Sequence, residues 1–554
     1  MKIERRSPSQ VMRLSRLGSF HQCRLSFMRQ LTRRMAREHW QFERPVFDID
    51  DRGVGHAVYT TDTGQRTYSL IAFAHDLPDD QRSDRVIAEA WDATFTLFDG
   101  IPTPDDIARL SENVPYQEAG RISETELTLS RANRSVRLWN HVVGSLAKGQ
   151  QPDPVMVNQV GYLMRTTAVY GSGKFGAADH ATISTRAEFQ APFQAEMLTV
   201  YLIRTFVRDL VNHMAKVRNE DASALDPSLA EQLGIGNSTG LGMAPFLINH
   251  PVLFNNWIMV REEALARVRL IENAAVKEKD LFLEIWSRAK ASIRDWQSEH
   301  PIQIEKLTAL KADIRTLENV LSGFDWTQDH PWDAIYRQAR DLSEEAQELL
   351  ISLMLEPYPQ LVDDLACCMA DTLQHDHVVD GAMTIGKLKS LMSEAFDWTL
   401  EIDWAQKDAN ARAWYVSAEK LEPRLGERFD EPIADYEQPL APGRDARAAS
   451  VDLENWDDDA PVSAFLAAHP EHRQTVRRAQ LHSIAPYSEI RDNTIAADMK
   501  PIDMLRAKLS FFGATRFDPR SDRWVRICMY VGAPYPEDLT TQNADFWVYP
   551  HLPA

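Results

Sequence analysis

The stretch AEMLTVYLIRTFVRDLVNHMAKV, residues 195–217, decides how the middle of this chain folds. Its apolar side chains recur at intervals of three and four residues, at Val200, Ile203, Val207, Leu210 and Met214. This spacing places them on one face of an α-helix, because the helical repeat is 3.6 residues. We therefore expect a long helix that is buried along that face.

Helical patterns extend from about residue 130 to residue 420. Few helix-breaking residues interrupt 253–296, which predicts one or two long helices there. Further on, leucine and isoleucine step by three and four, at Leu307, Leu310, Ile314, Leu317 and Leu321. The run is too short for an independent coiled coil and indicates an antiparallel helix pair within a bundle.

Strand signals lie towards the two ends of the chain. In residues 55–78, two β-rich runs flank Asp62, Thr63 and Gly64, a pattern typical of a hairpin turn. RWVRICMYVG (523–532) alternates in the manner of a strand, and ADFWVYPHL is a further strand candidate. The expected fold is α+β and mainly α-helical, with a central helical bundle and a small β-sheet built from N- and C-terminal strands.

Changes in composition and sequence pattern along the chain predict five segments. They are a basic N-terminal helical segment (1–40), a small α/β segment with a β-hairpin (41–125), a helical core with Gly-rich loops (126–420), an acidic Pro-rich linker or arm (421–461) and a C-terminal α/β segment (462–554). The first segment carries ten Lys and Arg against two Glu. We expect it to dock on an acidic body or a partner subunit, with an organelle-targeting segment as the alternative.

Composition excludes several classes of function. The net charge of −20 over 554 residues argues against a general nucleic-acid binder, which needs a basic footprint. No apolar run has the length of a membrane span, so no membrane partner is expected. The four cysteines form no disulfide pattern, which favours the cytoplasm. No cofactor-binding motif is present, so no cofactor is predicted.

One Gly-rich stretch surrounds a lysine. In VYGSGKFGAADH (169–180), Lys174 is flanked by Gly171, Ser172, Gly173 and Gly176. Glycines let backbone N–H groups approach an anion closely, and the lysine adds a positive charge. The spacing does not match a nucleotide-binding P-loop. The stretch predicts an anion-binding loop, and a simple turn between two elements is the alternative.

A second Gly-rich stretch follows the long helix. GIGNSTGLGMAPF (234–246) is predicted to be a loop that leads into a helix, with Asn237, Ser238, Thr239 and Gly240 offering polar groups and free N–H groups to an anion. Seven of the 23 glycines of the chain fall in the two stretches. That concentration is the strongest functional signal in the sequence.

Three further residues are candidates for proton transfer and orientation. Glu196 lies in line with the apolar stripe of residues 195–217, where a buried carboxyl can act as an acid or a base. Tyr170 is the alternative proton carrier, and Arg165 is expected to orient a carboxylate or the substrate. A solvent-exposed position at the start of the helix is the other reading of Glu196.

A third cluster contains potential metal ligands. Cys367, Cys368, His375 and His377 lie close together in the sequence. Adjacent cysteines do not match a common zinc spacing, so a helix with buried cysteines is favoured and no metal is assigned to the predicted site.

These signals together favour a cytoplasmic enzyme that acts on a small anionic metabolite, a carboxylate or a phosphate. The substrate would lie between the two Gly-rich loops and undergo cofactor-free acid–base chemistry as in a lyase, isomerase or transferase. One alternative is a non-catalytic interaction or scaffold protein that forms a homo-oligomer through helical surfaces. A second is a metal-dependent enzyme using the Cys367 and His375 region.

Overall fold

A computed structural model gives the fold of most of the chain. It describes residues 3–76, 91–115, 124–171, 183, 185–240, 251–298, 301–362, 365, 378–403, 414–417, 437–440, 442–491, 506–507, 510–513, 516–521 and 524–549. The strands are β1 (Gln41–Ile49), β2 (Gly55–Asp62), β3 (Thr67–Ala74), β4 (Ala93–Asp99), β5 (Glu126–Arg134), β6 (Tyr162–Gly171), β7 (Gly234–Gly240), β8 (Trp414–Ser417), β9 (Glu437–Leu440), β10 (Arg516–Ser521) and β11 (Trp524–Met529).

The helices lie before, between and after these strands. They are α1 (Pro8–Val11), α2 (Leu14–Leu17), α3 (Phe27–Arg37), α4 (Pro104–Ser111), α5 (Trp139–Ala147), α6 (Pro154–Val160), α7 (Gln194–Arg218), α8 (Pro227–Glu231), α9 (Pro251–Arg269), α10 (Val276–Arg294), α11 (Pro301–Ser322), α12 (Pro331–Gln338), α13 (Glu344–Leu355), α14 (Pro359–Val362), α15 (Ile385–Leu400), α16 (Pro442–Glu454), α17 (Val462–Ala468) and α18 (Arg473–His482).

The expectation of a small sheet made from the two chain ends is wrong. Nine of the described strands form one sheet in the order β1-β2-β3-β4-β5-β6-β7-β11-β10. Each of β1 to β5 pairs antiparallel with the next strand, β7 runs parallel to β6, and β11 runs antiparallel to β7. Three of these strands, β5, β6 and β7, lie within the segment predicted to be a helical core with Gly-rich loops (126–420). The structure therefore combines extensive helices with one large, curved sheet.

Helix α7 is the element around which the sheet curves. It contacts strands β2 to β7, and the stripe residues Val200, Ile203, Val207 and Leu210 are buried. Arg204 on the same helix is also buried, and its guanidinium donates hydrogen bonds of 2.8 Å to the carbonyl oxygens of Leu233 and Ala533. These bonds fasten α7 to the residue that precedes β7 and to the chain that follows β11. A sheet with its right-handed twist can wrap a single helix in this way.

The face of the sheet opposite α7 is covered by a short helix. Helix α4 packs there against a small apolar cluster on β2 to β5, formed by Val58, Ile71, Phe73, Phe98, Leu110, Val114 and Leu129. Asp106 and Thr103 form a reciprocal cap at the start of α4, which satisfies N–H groups that the helix leaves unpaired. The central strands are thus buried on both faces, which removes the apolar–polar alternation that marks a strand in sequence.

The basic N-terminal segment is buried among the helices. Arg6 contacts Glu262 on α9 and Glu348 on α13, each at 2.6 Å. Glu348 also accepts from Arg16 and from Arg261, each at 2.8 Å. Neighbouring ion pairs join Arg29, Arg24 and Arg33 with Glu356 and Asp545, and Arg506 with Glu345. Four arginines of this segment are therefore internal parts of the helical body, namely Arg6, Arg16, Arg24 and Arg29.

Helices α15 to α18 form a small module with a separate apolar core. The core includes Leu388, Leu391, Phe396, Phe465 and Val476. Helix α16 of this module lies within residues 421–461, for which the sequence predicts an acidic linker or arm. Its buried residues Ala446, Ala449 and Leu453 recur at helical spacing, but small alanines give a weak apolar signal.

Candidate functional site

The two Gly-rich stretches meet at one edge of the sheet. The parallel register of β6 and β7 joins Tyr162 with Gly234, Arg165 with Gly236 and Thr166 with Asn237. Because the strands are parallel, both end at the same edge, β6 at Gly171 and β7 at Gly240. Each stretch therefore reaches this edge, although a long helix separates them in sequence.

The sequence predicts that the second stretch is a loop, but in the structure it begins as a strand. Residues 234–240 form strand β7, in which Asn237 pairs with Ile527, Ser238 with Arg526 and Thr239 with Val525. Glycine suits this strand because a Cβ atom at Gly236 would lie 2.7 Å from the ring of Tyr162. Backbone N–H groups of Asn237, Ser238 and Thr239 are thus engaged in a sheet between β6 and β11. An anion would have to bind at the strand end rather than along it.

Helix α7 begins at the same edge of the sheet. The hydroxyl oxygens of Thr199 on α7 and Thr128 on β5 lie 2.8 Å apart, and Thr128 is the register partner of Gly171. Glu196 lies three residues before Thr199, about 4.5 Å earlier along the helix axis and on the same face. Its side chain is buried, with 5% exposure. This carboxyl group is therefore placed beside the end of β6.

Arg165 lies away from this edge. It precedes Gly171 by six residues, or roughly 20 Å along the strand. There it is buried, with 4% exposure, between its register partners Asn133 and Gly236. The structure thus separates Arg165 from the ends of the Gly-rich stretches.

Tyr170 is the penultimate residue of β6. Its backbone register partner in β5 is Leu129. The role of Tyr170 as a proton carrier stays a prediction from sequence.

Several predicted residues lie outside the described part of the chain. They are Ser172, Gly173, Lys174 and Gly176 of the first Gly-rich stretch, and Cys367, Cys368, His375 and His377 of the alternative metal cluster. Their roles stay predictions from sequence.

A tyrosine–carboxylate pair at the same edge was missed by the sequence analysis. Tyr68 at the start of β3 pairs in register with Asp99 at the end of β4. The Tyr68 hydroxyl donates to the buried carboxylate of Glu188, while Arg186 contacts Asp99 at 2.8 Å. Burial, together with the hydrogen bond to Glu188, raises the pKa of Tyr68. In the sequence, the pair is marked only by Glu188 beside Phe189. An acidic residue next to an aromatic residue is too common to indicate a site.

A separate open cavity lies further along α7. It has a volume of about 670 Å³ and lies between the end of α3, strands β1 and β2, helix α7 and residues 536–539. Asp209 in its wall accepts from the Tyr59 hydroxyl at 2.9 Å and from Arg44 at 2.7 Å. Burial, followed by the charge of Asp209, raises the pKa of Tyr59. Asp209 is about 20 Å along the helix from Glu196, so the cavity and the sheet edge are different places.

The chain matches no protein-family model, no curated protein and no solved structure. Within the described ranges, no helix has the length and apolar character needed to cross a membrane.

Proposed function

We propose that this chain is an enzyme that binds a small anionic substrate at the sheet edge where β6 and β7 end. The observation that supports this is the parallel pairing of those two strands, which brings both Gly-rich stretches to the edge where α7 begins. In sheets with parallel strands, ligands bind outside the carboxyl ends of the strands, next to the N-terminus of the connecting helix. Backbone N–H groups at such a helix start attract negative charge.

The residues of the first Gly-rich stretch and of α7 have distinct roles in the proposal. Lys174 binds the carboxylate or phosphate, with backbone N–H groups of Gly171, Ser172, Gly173 and Gly176 around it. Glu196 transfers the proton, since a carboxyl removed from water is readily tuned towards neutral pH. Such a set suits lyase, isomerase or transferase chemistry without a cofactor. Arg165 has no role in it because it lies too far along β6.

The compartment belongs to the same proposal. Cys23 and Cys528 are buried free thiols among the described residues. Free thiols are typical of a reducing compartment, which supports the cytoplasm as the location.

The anion site is tested by replacing Lys174 with alanine. Thermal unfolding is recorded with a panel of phosphorylated and carboxylated metabolites for the wild type, Lys174→Ala and Lys216→Ala. A ligand at 100 times its dissociation constant stabilises the folded protein by about 2.7 kcal/mol, which raises the melting temperature. We expect that rise in the wild type and in Lys216→Ala, and its loss in Lys174→Ala.

Lys216 is a matched control because it is exposed near the far end of α7. An equal rise in all three proteins would place the ligand elsewhere. If no metabolite raised any melting temperature, the interaction or scaffold alternative would replace this proposal.

Catalysis is tested separately with Glu196→Gln, which keeps the size of the side chain and removes its proton-transfer capacity. Each ligand found above is incubated with the protein, and its conversion is followed by nuclear magnetic resonance. We expect Glu196→Gln to bind the ligand but to convert it at least about 100-fold more slowly. Unchanged conversion by this variant would remove Glu196 from the mechanism. Ligands that bind without being converted by the wild type would show a binding protein.

A further inference from the structure

Four potential metal ligands meet in the small helical module, on other elements than those of the proposed substrate site. Asp452 lies near the end of α16, His469 directly follows α17, and Glu471 and His472 lie in the short turn between α17 and α18. One ligand atom from each of the four falls within 4.8 Å of all the others. The cluster therefore joins two parts of the module that are separated in sequence.

The distances suit a small divalent ion. His472 Nε2 lies 2.7 Å from Oδ2 of Asp452, and His469 Nδ1 lies 3.6 Å from the same oxygen. His469 Nδ1 is also 3.6 Å from Oε1 of Glu471. Ligand atoms about 2.0–2.1 Å from a tetrahedral zinc ion are roughly 3.3–3.4 Å from one another. No separation between the four ligand atoms exceeds 4.8 Å, so small side-chain movements would bring them to that spacing.

The two imidazole rings are held in place by aromatic packing. The ring of Phe465 stacks on both, at centroid distances of 5.0 Å to His469 and 5.8 Å to His472. Trp456 also makes an edge contact with the ring of His469, at a centroid distance of 6.2 Å. The backbone N–H groups of His469 and His472 also donate to carbonyls of the preceding turn, those of Phe465 and His469 respectively. Rings fixed in this way are oriented before a ligand binds, which lowers the cost of binding.

Charge and donor type point to the class of ion. Two carboxylates and two neutral imidazoles carry a net charge of −2, which one divalent cation neutralises. Mixed imidazole and carboxylate donors are typical of zinc, whereas calcium and magnesium prefer oxygen ligands alone. Asp445 on the same helix as Asp452 adds negative charge near His472, although Arg444 and Arg478 also lie close to Asp445.

We infer that Asp452, His469, Glu471 and His472 bind one divalent transition-metal ion, with Zn²⁺ preferred. With four ligands from the protein the site is structural, and it fastens α16 to the turn between α17 and α18. It is independent of the substrate site proposed above. His472 is buried and Glu471 is 61% exposed on its side chain, so the ion would be bound from the solvent side and closed by Glu471.

The test uses full-length protein without an affinity tag, stripped with a chelator and dialysed. Zn²⁺ is titrated against a chromogenic chelator, and melting temperature is recorded with and without the ion. We expect one tight equivalent per chain and a higher melting temperature with Zn²⁺. His469→Gln and Glu471→Gln should each weaken binding at least tenfold, because losing a ligand costs no less than losing an outer-shell partner.

Glu454→Gln is the matched control, since this exposed carboxylate ends the same helix two residues after Asp452. It should bind Zn²⁺ as the wild type does. His469 and Glu471 are at least partly exposed, so their variants are expected to fold without the ion, which is checked by circular dichroism. The inference is overturned if the stripped wild type takes up no tight Zn²⁺. It is also overturned if both ligand variants bind Zn²⁺ as tightly as Glu454→Gln, with uptake lost instead on replacing Cys367 and Cys368.

Discussion

Replacing Glu348 with alanine is expected to lower the free energy of unfolding by about 3–5 kcal/mol, the range measured when one partner of a buried ion pair is removed. Glu348 is fully buried and contacts the guanidinium groups of Arg6, Arg16 and Arg261. Without its carboxylate, Glu262 is left as the buried counter-charge for Arg6 and Arg261. The measurement is the midpoint of urea unfolding at neutral pH, followed by circular dichroism.

Glu344 provides the matched control, one helical turn before Glu348 on α13. It contacts Arg16 at 3.3 Å, but its side chain is 33% exposed. A partly solvated pair of this kind contributes about 0–1 kcal/mol. We therefore expect Glu344→Ala to unfold close to the wild-type midpoint. Equal losses in the two variants would show that burial of the arginine network does not dominate the stability of this region.

Helices with a strong apolar repeat could be predicted from the sequence. The prediction of a long buried helix over residues 195–217 is confirmed by α7, and the leucine repeat of 307–321 lies within α11. Both patterns are local, since residues three and four apart report directly on one face. The information that defines such a helix is contained within a few turns of chain.

The sheet could not be predicted in the same way. Strand β7 consists largely of glycine and small polar residues, and its neighbours β6 and β11 lie far from it in sequence. Strand β5 buries the polar residues Glu126, Thr128 and Ser130 as fully as the leucines between them, so burial does not follow the polar–apolar alternation of its sequence. What makes these segments strands is pairing with distant partners. Only the fold supplies that pairing, because β-propensity depends on tertiary context. The strand predicted at ADFWVYPHL is also wrong for residues 544–549, which form turns.

The candidate site was partly visible in sequence. The glycine stretches and Glu196 were each noticeable, but their proximity follows from the parallel register of β6 and β7. The cluster of Asp452 with His469 and His472 was not noticeable, because one ligand comes from another helix. A charge count identified the basic N-terminus, yet the particular partners of Arg6 depend on how α9 and α13 pack. A site whose residues come from distant segments depends on the topology of the fold, which local sequence patterns do not specify.

Acid is expected to unfold this protein by protonating its buried carboxylates. Burial alone would raise the pKa of Glu348, but the charges of Arg6 and Arg261 outweigh it and lower the pKa from 4.5 to about 2. Burial would also raise the pKa of Asp545, but the charges of Arg33 and Arg24 outweigh it and lower this pKa from 3.8 to about 2. These carboxylates therefore bind protons more weakly in the folded state than in the unfolded chain.

The sign of the pH dependence follows from that difference. A group with a lowered folded-state pKa contributes its full stability above its unfolded-state value, so these groups stabilise the protein at pH 6 and above. The contribution is lost as the pH falls from about 5 to about 2, on the order of 2–3 kcal/mol for each group. The urea midpoint should accordingly stay nearly constant between pH 7 and 6 as far as these groups are concerned, and then fall steeply.

Glu348→Gln isolates the contribution of one carboxylate to this curve. The amide keeps the shape of the side chain but carries no charge at any pH, so at neutral pH the variant should unfold at a lower urea concentration than the wild type. The two midpoints should converge as the pH approaches 2, where Glu348 itself becomes protonated and resembles the amide. Glu344→Gln should follow the wild-type curve throughout. A gap between wild type and Glu348→Gln that is the same at pH 7 and pH 3 would mean that the amide acts through packing, since only the loss of a titrating charge gives a gap that closes in acid.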